Sequence, residues 1–256
     1  MPYMYYSPDS MWTYLILVLP AVLIALWASA NVNSTFKKYS QIPSTSGFTG
    51  ADAARRILDA NGLTHVRIEH VNGKLTDHYD PKAEVIRLSD SVYDNRSAAA
   101  IGVAAHEAGH AVQHAEGYFP LVVRNAIIPV CNIGSNLAMP LIIIGLVLDM
   151  FGLCTIGILA FSLSTVFQLI TLPVEFNASR RALNTLKNDH ILIGEVNASN
   201  RALAALSSSG RFTEEDLGNA KKTLRAAALT YVAALAVSLA NLLRLIILVN
   251  GRRRRD

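Results

Sequence analysis

The sequence predicts a mainly α, multi-pass membrane protein that also carries a small α+β region with a short antiparallel sheet. Three observations predict it. Hydrophobic residues make up 52% of the 256-residue chain and charged residues only 16%, a ratio unlike that of a soluble globule. The apolar residues collect into four runs, each long enough to cross a bilayer as a helix. Between the first run and the second, residues 31–124 form the one sizeable polar stretch, and it alone carries strand and turn signals. The net charge of +4 does not point to nucleic acid. The basic residues stand beside apolar runs, as they do in membrane proteins, and no RNA- or DNA-binding signature is present.

Five segments follow from this patterning. Residues 1–30 read as an N-terminal transmembrane anchor, with the apolar run at Met11 to Ala30. Tyr3, Tyr5, Tyr6 and Trp12 form an aromatic belt on one side and Trp27 marks the other. A cleaved signal peptide is the rival reading, because Ala28-Ser29-Ala30 has the small-x-small form. The absence of Lys or Arg before the run, and Asp9 in their place, favours the anchor. Residues 31–124 read as the catalytic region. A connector over Asn33 to Gly47 leads to Thr49-Gly-Ala-Asp52, an N-cap with an acidic third position, which opens a helix through Ala60. Val66, Ile68 and His70 alternate. Asn72-Gly73 reads as a hairpin turn, Leu75 to Tyr79 as a second strand, Asp80-Pro81 as another turn, and Val85 to Leu88 as a third strand. Residues 125–173 read as a transmembrane hairpin. Its arms run from about Ala126 to Leu148 and from Leu153 to Leu172, joined by Asp149-Met-Phe-Gly152. Residues 174–223 read as a helical region, including a capped start at Thr213-Glu-Glu-Asp216, and residues 224–256 as a last apolar helix ending in the basic tail Arg252 to Arg255. Cys131 and Cys154 fall in or beside apolar runs and read as small packing residues.

The chemistry concentrates in Ser97 to Gln113, an alanine-rich helix without proline. Within it stands His106-Glu107-Ala-Gly-His110, the pattern H-E-x-x-H. Two imidazoles four residues apart project from one helix face and can grip one zinc ion, and the glutamate between them can take a proton from water at the metal. The plain alternative is a helix with two ordinary histidines. His114 continues the spacing, but along a helix it stands about 12 Å from His106, too far to share an ion. The extension H-E-x-x-H-x-x-G-x-x-H also fails, since Gln113 and Glu116 occupy its glycine and histidine positions. A spanning hairpin, however, returns the chain to the side it left, and just there stands Glu175, after Pro173. A carboxylate at that level completes a His, His, Glu site with one open position, the arrangement of catalytic zinc. Its structural alternative is an interfacial glutamate paired with Arg180 or Arg181.

His106-Glu-Ala-Gly-His110, two spans, then Glu175-Phe-Asn-Ala-Ser-Arg-Arg-Ala resembles the membrane-bound gluzincin metallopeptidases, and looks most like the YugP-type neutral zinc metallopeptidases. The resemblance covers nearly the whole chain. It implies a zincin-like catalytic region and zinc-dependent peptide hydrolysis in a membrane. In the wider group the later motif is E-x-x-x-D, whose aspartate holds a zinc-binding histidine; here Ser179 takes the aspartate position, and Asn177 or Ser179 is left to supply a weaker partner.

The expected function is therefore a membrane-embedded zinc metalloendopeptidase. His106, His110 and Glu175 hold one Zn2+, and Glu107 is the general base for a zinc-activated water. Arg180, Arg181, His78 and Tyr79 are the candidates to stabilise the transition state. The partners are a peptide or membrane-protein substrate and the lipid bilayer. Two other classes stand beside this one: an inactive membrane scaffold of the same fold, and a small-ion carrier. The scaffold is disfavoured by the intact His106, Glu107 and His110, and the carrier by the near absence of ionisable residues within the spans. Lys37 and Lys38, with the acidic link at Asp149, place the catalytic side in the cytoplasm; the basic tail votes the other way.

Overall fold

The computed structural model describes residues 8–192 and 213–253. The aromatic belt at Tyr3, Tyr5 and Tyr6, residues 193–212 of the expected helical region, and Arg254 and Arg255 lie outside the described residues. The elements run α1 (Pro8–Thr13), a π-helical turn (Tyr14–Val18), α2 (Leu19–Tyr39), α3 (Gly50–Ala60), β1 (Arg67–Val71), β2 (His78–Asp80), β3 (Val85–Ser89), α4 (Ala98–Ala115), α5 (Phe119–Val147), α6 (Phe151–Leu192) and α7 (Glu214–Arg253). Among the described residues, four helical stretches are long and apolar enough to cross a membrane: Met11–Tyr39, Phe119–Val147, Phe151–Lys187 and Glu214–Arg253. The expected mainly α class, with long apolar helices and a small sheet, holds; the sheet itself differs, as described below. The chain divides into two compact units, one of residues 1–30, 122–173 and 229–256, the other of residues 31–121 and 174–228.

The first unit contains the apolar runs. α5 and α6 meet along small residues. A Cβ at Gly157 would come within 2.9 Å of the Ala138 carbonyl oxygen, and one at Gly145 within 2.6 Å of Cys154 Sγ, so glycine is what lets these backbones approach. Both cysteines are buried thiols without a disulfide, consistent with a packing role. Cys131 Sγ lies 3.5 Å from the Leu163 carbonyl oxygen and Cys154 Sγ 3.7 Å from that of Ile142. The Thr165 and Ser238 hydroxyls, 2.7 Å apart, hydrogen-bond α6 to α7. Pro129, Pro140 and Pro173 all lie inside helices. Each removes one backbone donor without ending its helix, as apolar helices packed on neighbours tolerate. Large side chains such as Ile16, Leu26, Ile133, Leu159 and Leu239 face outward, which leaves an apolar surface suited to lipid. At one end Arg252 pairs with Asp149 at 3.1 Å.

The described residues of the second unit pack around one hydrophobic core. Thr49 and Asp52 form the expected capping box of α3, and Ala53, Ala54, Ile57 and Leu58 pack with Ala104, Ala105 and Ala108 of α4 and with Ile86 and Leu88 of β3. Ser97 caps α4, its hydroxyl accepting from Ala100 N–H at 3.2 Å. The helix ends at Gly117, whose φ of +63° suits glycine. There the Tyr118 N–H reaches back to the Gln113 carbonyl at 2.9 Å and the Gly117 N–H to that of His114 at 3.1 Å, a Schellman close. Thr213 caps α7 as expected, and Asp216 also accepts from Thr45 N–H and Oγ1.

The sheet corrects one expectation. It is mixed, with order β1-β3-β2: β1 pairs parallel with β3 and β2 antiparallel with it. Asn72-Gly73 is therefore not a hairpin turn. The physical reason is burial. Val85, Ile86, Leu88 and Ser89 are all buried, so β3 takes the centre, and the more exposed β1 and β2 flank it. The chain from Val71 to Val85 is long enough for the crossover that parallel pairing requires.

Candidate metal centre

α4 presents His106 and His110 on one face, and α6 presents Glu175 two residues after Pro173. The three donors converge. Glu175 Oε2 lies 3.2 Å from His106 Nε2 and 3.5 Å from His110 Nε2. All three side chains are largely shielded, with exposures of 14%, 11% and 6% for His106, His110 and Glu175. Tetrahedral zinc with bonds of about 2.05 Å sets its ligand atoms about 3.3 Å apart, and the two measured separations bracket that value. The donor set fits a zinc ion: two imidazole nitrogens and one carboxylate oxygen close to one another, His110 and Glu175 buried and His106 half-buried. His106, His110 and Glu175 could hold a metal ion together; the pairing of Glu175 with Arg180 or Arg181, weighed above, is not what the structure shows.

The imidazoles stand edge to face, 4.7 Å between centroids. Each outward nitrogen has its own partner. His106 Nδ1 lies 3.1 Å from Ser179 Oγ, and His110 Nδ1 lies 3.0 Å from Gln113 Oε1. Burial works to lower the His110 pKa, but the Glu175 carboxylate beside it and the charge of Glu107 outweigh burial and leave it raised. The site thus favours positive charge between its carboxylates. Glu107 is buried on the same helix. Its charge also reaches Asp77, whose pKa is raised by burial first and against the pull of Ser89 N–H and Oγ.

Of the residues expected to surround the metal, Ser179 is found on His106. Asn177 is found in a chain of side chains behind His110, its Oδ1 accepting from Gln113 Nε2 at 2.9 Å and from Arg181 Nε at 2.7 Å. Arg181 also pairs with Glu116 at 2.7 Å, and Arg180 is exposed. Tyr79 places its hydroxyl 2.9 Å from His114 Nδ1. Burial first, with Glu84 and Asp80 adding to it, pushes the Tyr79 pKa up to about 12. His78 is exposed, with Nδ1 2.8 Å from the Thr76 carbonyl oxygen and Nε2 3.4 Å from Arg87. Sequence reasoning missed Gln113, which it noted only as a failed glycine position. Its spacing of three from His110, on one helix face, was the available signal. Gly109 was missed too: a Cβ there would stand 2.8 Å from the Ala178 carbonyl oxygen, so glycine lets α4 and α6 meet at this level.

The sequence matches the family described as "Putative neutral zinc metallopeptidase" over residues 14–195 and 191–250. It is 47% identical over 240 residues to the "Putative membrane protease YugP" of Bacillus subtilis (strain 168), covering 93% of this chain and 98% of that one. No solved structure matches. With a family match along almost its full length and a relative of this closeness, the chain belongs to the putative neutral zinc metallopeptidase family.

Proposed function

We propose that the protein is a membrane-embedded zinc metalloendopeptidase. The observation that carries the reading is the convergence of His106 Nε2, His110 Nε2 and Glu175 Oε2 at separations that suit tetrahedral zinc. The family match and the membrane-protease relative support it.

His106, His110 and Glu175 would hold a zinc ion, which would supply an activated water and a Lewis acid for a peptide carbonyl. Glu107, on the same helix between the two histidines, accepts a proton from the attacking water and returns one to the leaving nitrogen. β2 is an edge strand that packs against α4, and its free edge can hydrogen-bond an extended peptide beside the site. Arg181 is committed to Asn177 and Glu116, so it anchors helices rather than reaching for substrate.

The helices Met11–Tyr39, Phe119–Val147, Phe151–Lys187 and Glu214–Arg253 cross the cell membrane in this reading, and the substrate is a peptide or membrane-protein segment. The catalytic side faces the cytoplasm, supported by Lys37 and Lys38 after the first span. Pairing of Arg252 with Asp149 offsets one charge of the basic tail.

The test is a comparison of membrane peptides from cells carrying the wild type with those from cells carrying Glu107→Gln. The reading expects a set of fragments present only with the wild type. Identical peptide populations, at equal protein levels, contradict it.

A further inference from the structure

Gln113 is completely buried, and every hydrogen-bonding atom of its carboxamide has a partner. Oε1 lies 3.0 Å from His110 Nδ1; Nε2 lies 2.9 Å from the Val174 carbonyl oxygen and 2.9 Å from Asn177 Oδ1. A primary amide has two N–H groups and one acceptor oxygen. The Val174 carbonyl can only accept. The nitrogen must therefore face α6, where both its hydrogens are used. Turning the amide over would press two carbonyl oxygens together. The oxygen is thus left for His110, and because an amide oxygen has no proton to give, His110 Nδ1 must carry it. An imidazole with its proton on Nδ1 presents the Nε2 lone pair to the metal position, 3.5 Å from Glu175 Oε2.

The same amide ties the two halves of the donor set together. Val174 immediately precedes Glu175, and Asn177 follows it by two residues. Beyond Asn177 the chain of contacts continues to Arg181 and returns through Glu116 to the end of α4. His106 is held differently. Its partner Ser179 is a hydroxyl, which both donates and accepts, so that contact permits either tautomer.

We infer that Gln113 is the positioning residue of the metal centre: its amide, oriented by the Val174 carbonyl and Asn177 of α6, fixes the His110 tautomer that binds metal. The inference rests on the metal-centre reading above.

The test measures zinc affinity of the purified full-length protein by competition with a chromophoric chelator, with melting followed in parallel. Gln113→Met, of similar volume, removes acceptor and donors; it weakens zinc roughly 10- to 100-fold. Gln113→Glu keeps the acceptor for His110 Nδ1–H and gives up both donors to α6; it recovers most of that affinity. A Gln113 that served packing alone would give the reverse order, because glutamate buries a charge against two acceptors. Ser179→Ala weakens zinc less than Gln113→Met. Gln113→Met binding as tightly as the wild type, or Gln113→Glu binding more weakly than Gln113→Met, overturns the inference while the wild type's own binding upholds the site. A wild type that binds no zinc overturns the site itself and the inference with it. Should Gln113→Met fail to fold, Gln113→Glu alone decides. Affinity within about tenfold of the wild type supports the role, and a greater loss overturns it.

Discussion

Gly109→Ala should separate the zinc donors without touching any of them. The new Cβ would stand 2.8 Å from the Ala178 carbonyl oxygen, 3.3 Å from its Cα and 3.4 Å from its carbonyl carbon. Ordinary contacts of carbon lie at about 3.5–4.0 Å, so α4 and α6 must part by about 0.7 Å at this level. Backbone atoms are what the methyl meets, and they cannot swing aside as a side chain would. His106 and His110 ride on α4 and Glu175 on α6, whereas zinc coordination tolerates distance errors of only about 0.2 Å. Overpacking of this kind typically costs about 1–3 kcal/mol. If zinc has to draw the helices back together, that cost appears as a loss of about 5- to 150-fold in zinc affinity. Chelator competition on purified protein reads it. Gly102→Ala is the control. Its Cβ would meet the Ala220 Cβ at 3.1 Å, against α7 rather than α6, and zinc affinity should stay near the wild-type value even if melting falls. Gly109→Ala that binds zinc within twofold of the wild type, or Gly102→Ala that loses zinc equally, would refute the claim that the α4–α6 approach sets the donor geometry.

Other expectations follow from the same geometry. Glu175→Ala should sharply reduce bound zinc by elemental analysis, and Glu175→Gln should also bind weakly because it lacks the carboxylate charge; His114→Ala, whose ring contacts Tyr79, should leave zinc near stoichiometric. Asp77 carries a pKa raised chiefly by burial. A carboxyl with a raised folded pKa stabilises the fold when protonated, and that contribution is lost as pH rises through the raised value. Asp77→Asn keeps an acceptor for the Ser89 N–H, so its melting temperature should gain on the wild type between about pH 4 and neutrality; a difference independent of pH contradicts this. A cysteine at the exposed Thr64 and one at the exposed Met150 should react with an impermeant reagent from opposite faces of the membrane, Thr64→Cys from the cytoplasmic one. Labelling of both from one face rules out the proposed crossing of α5 and α6.

Much of the site was legible because it depends on local spacing. A four-residue interval on a helix places His106 and His110 together wherever that helix sits, and the capping signals at Thr49 and Thr213 act over three residues. Glu175 was legible for a different reason: two apolar arms joined by a short link must return the chain. What escaped was non-local. The pairing of β1 with β3 depends on which strand is most buried, and an Asn-Gly dipeptide between alternating segments reads as a hairpin whichever neighbour the strand finally takes. Gln113 stands three residues from His110 on one helix face, but that spacing gains its meaning only when Val174 and Asn177 arrive from residues far along the chain. Gly109 likewise reads as a weak helix former until the Ala178 carbonyl is seen against it.

The central claim is that His106, Glu107, His110 and Glu175 together hydrolyse peptide bonds with one zinc ion. The most direct measurement is cleavage of a peptide library by the purified protein, with metal content determined on the same samples. The wild type should hold one zinc per chain and cleave, lose cleavage when a chelator removes the metal, and regain it on adding zinc. Glu107→Gln should hold the same zinc and cleave about 10² to 10⁴ times more slowly. Cleavage by Glu107→Gln at the wild-type rate, or wild-type cleavage unchanged after the metal is removed, would contradict the account.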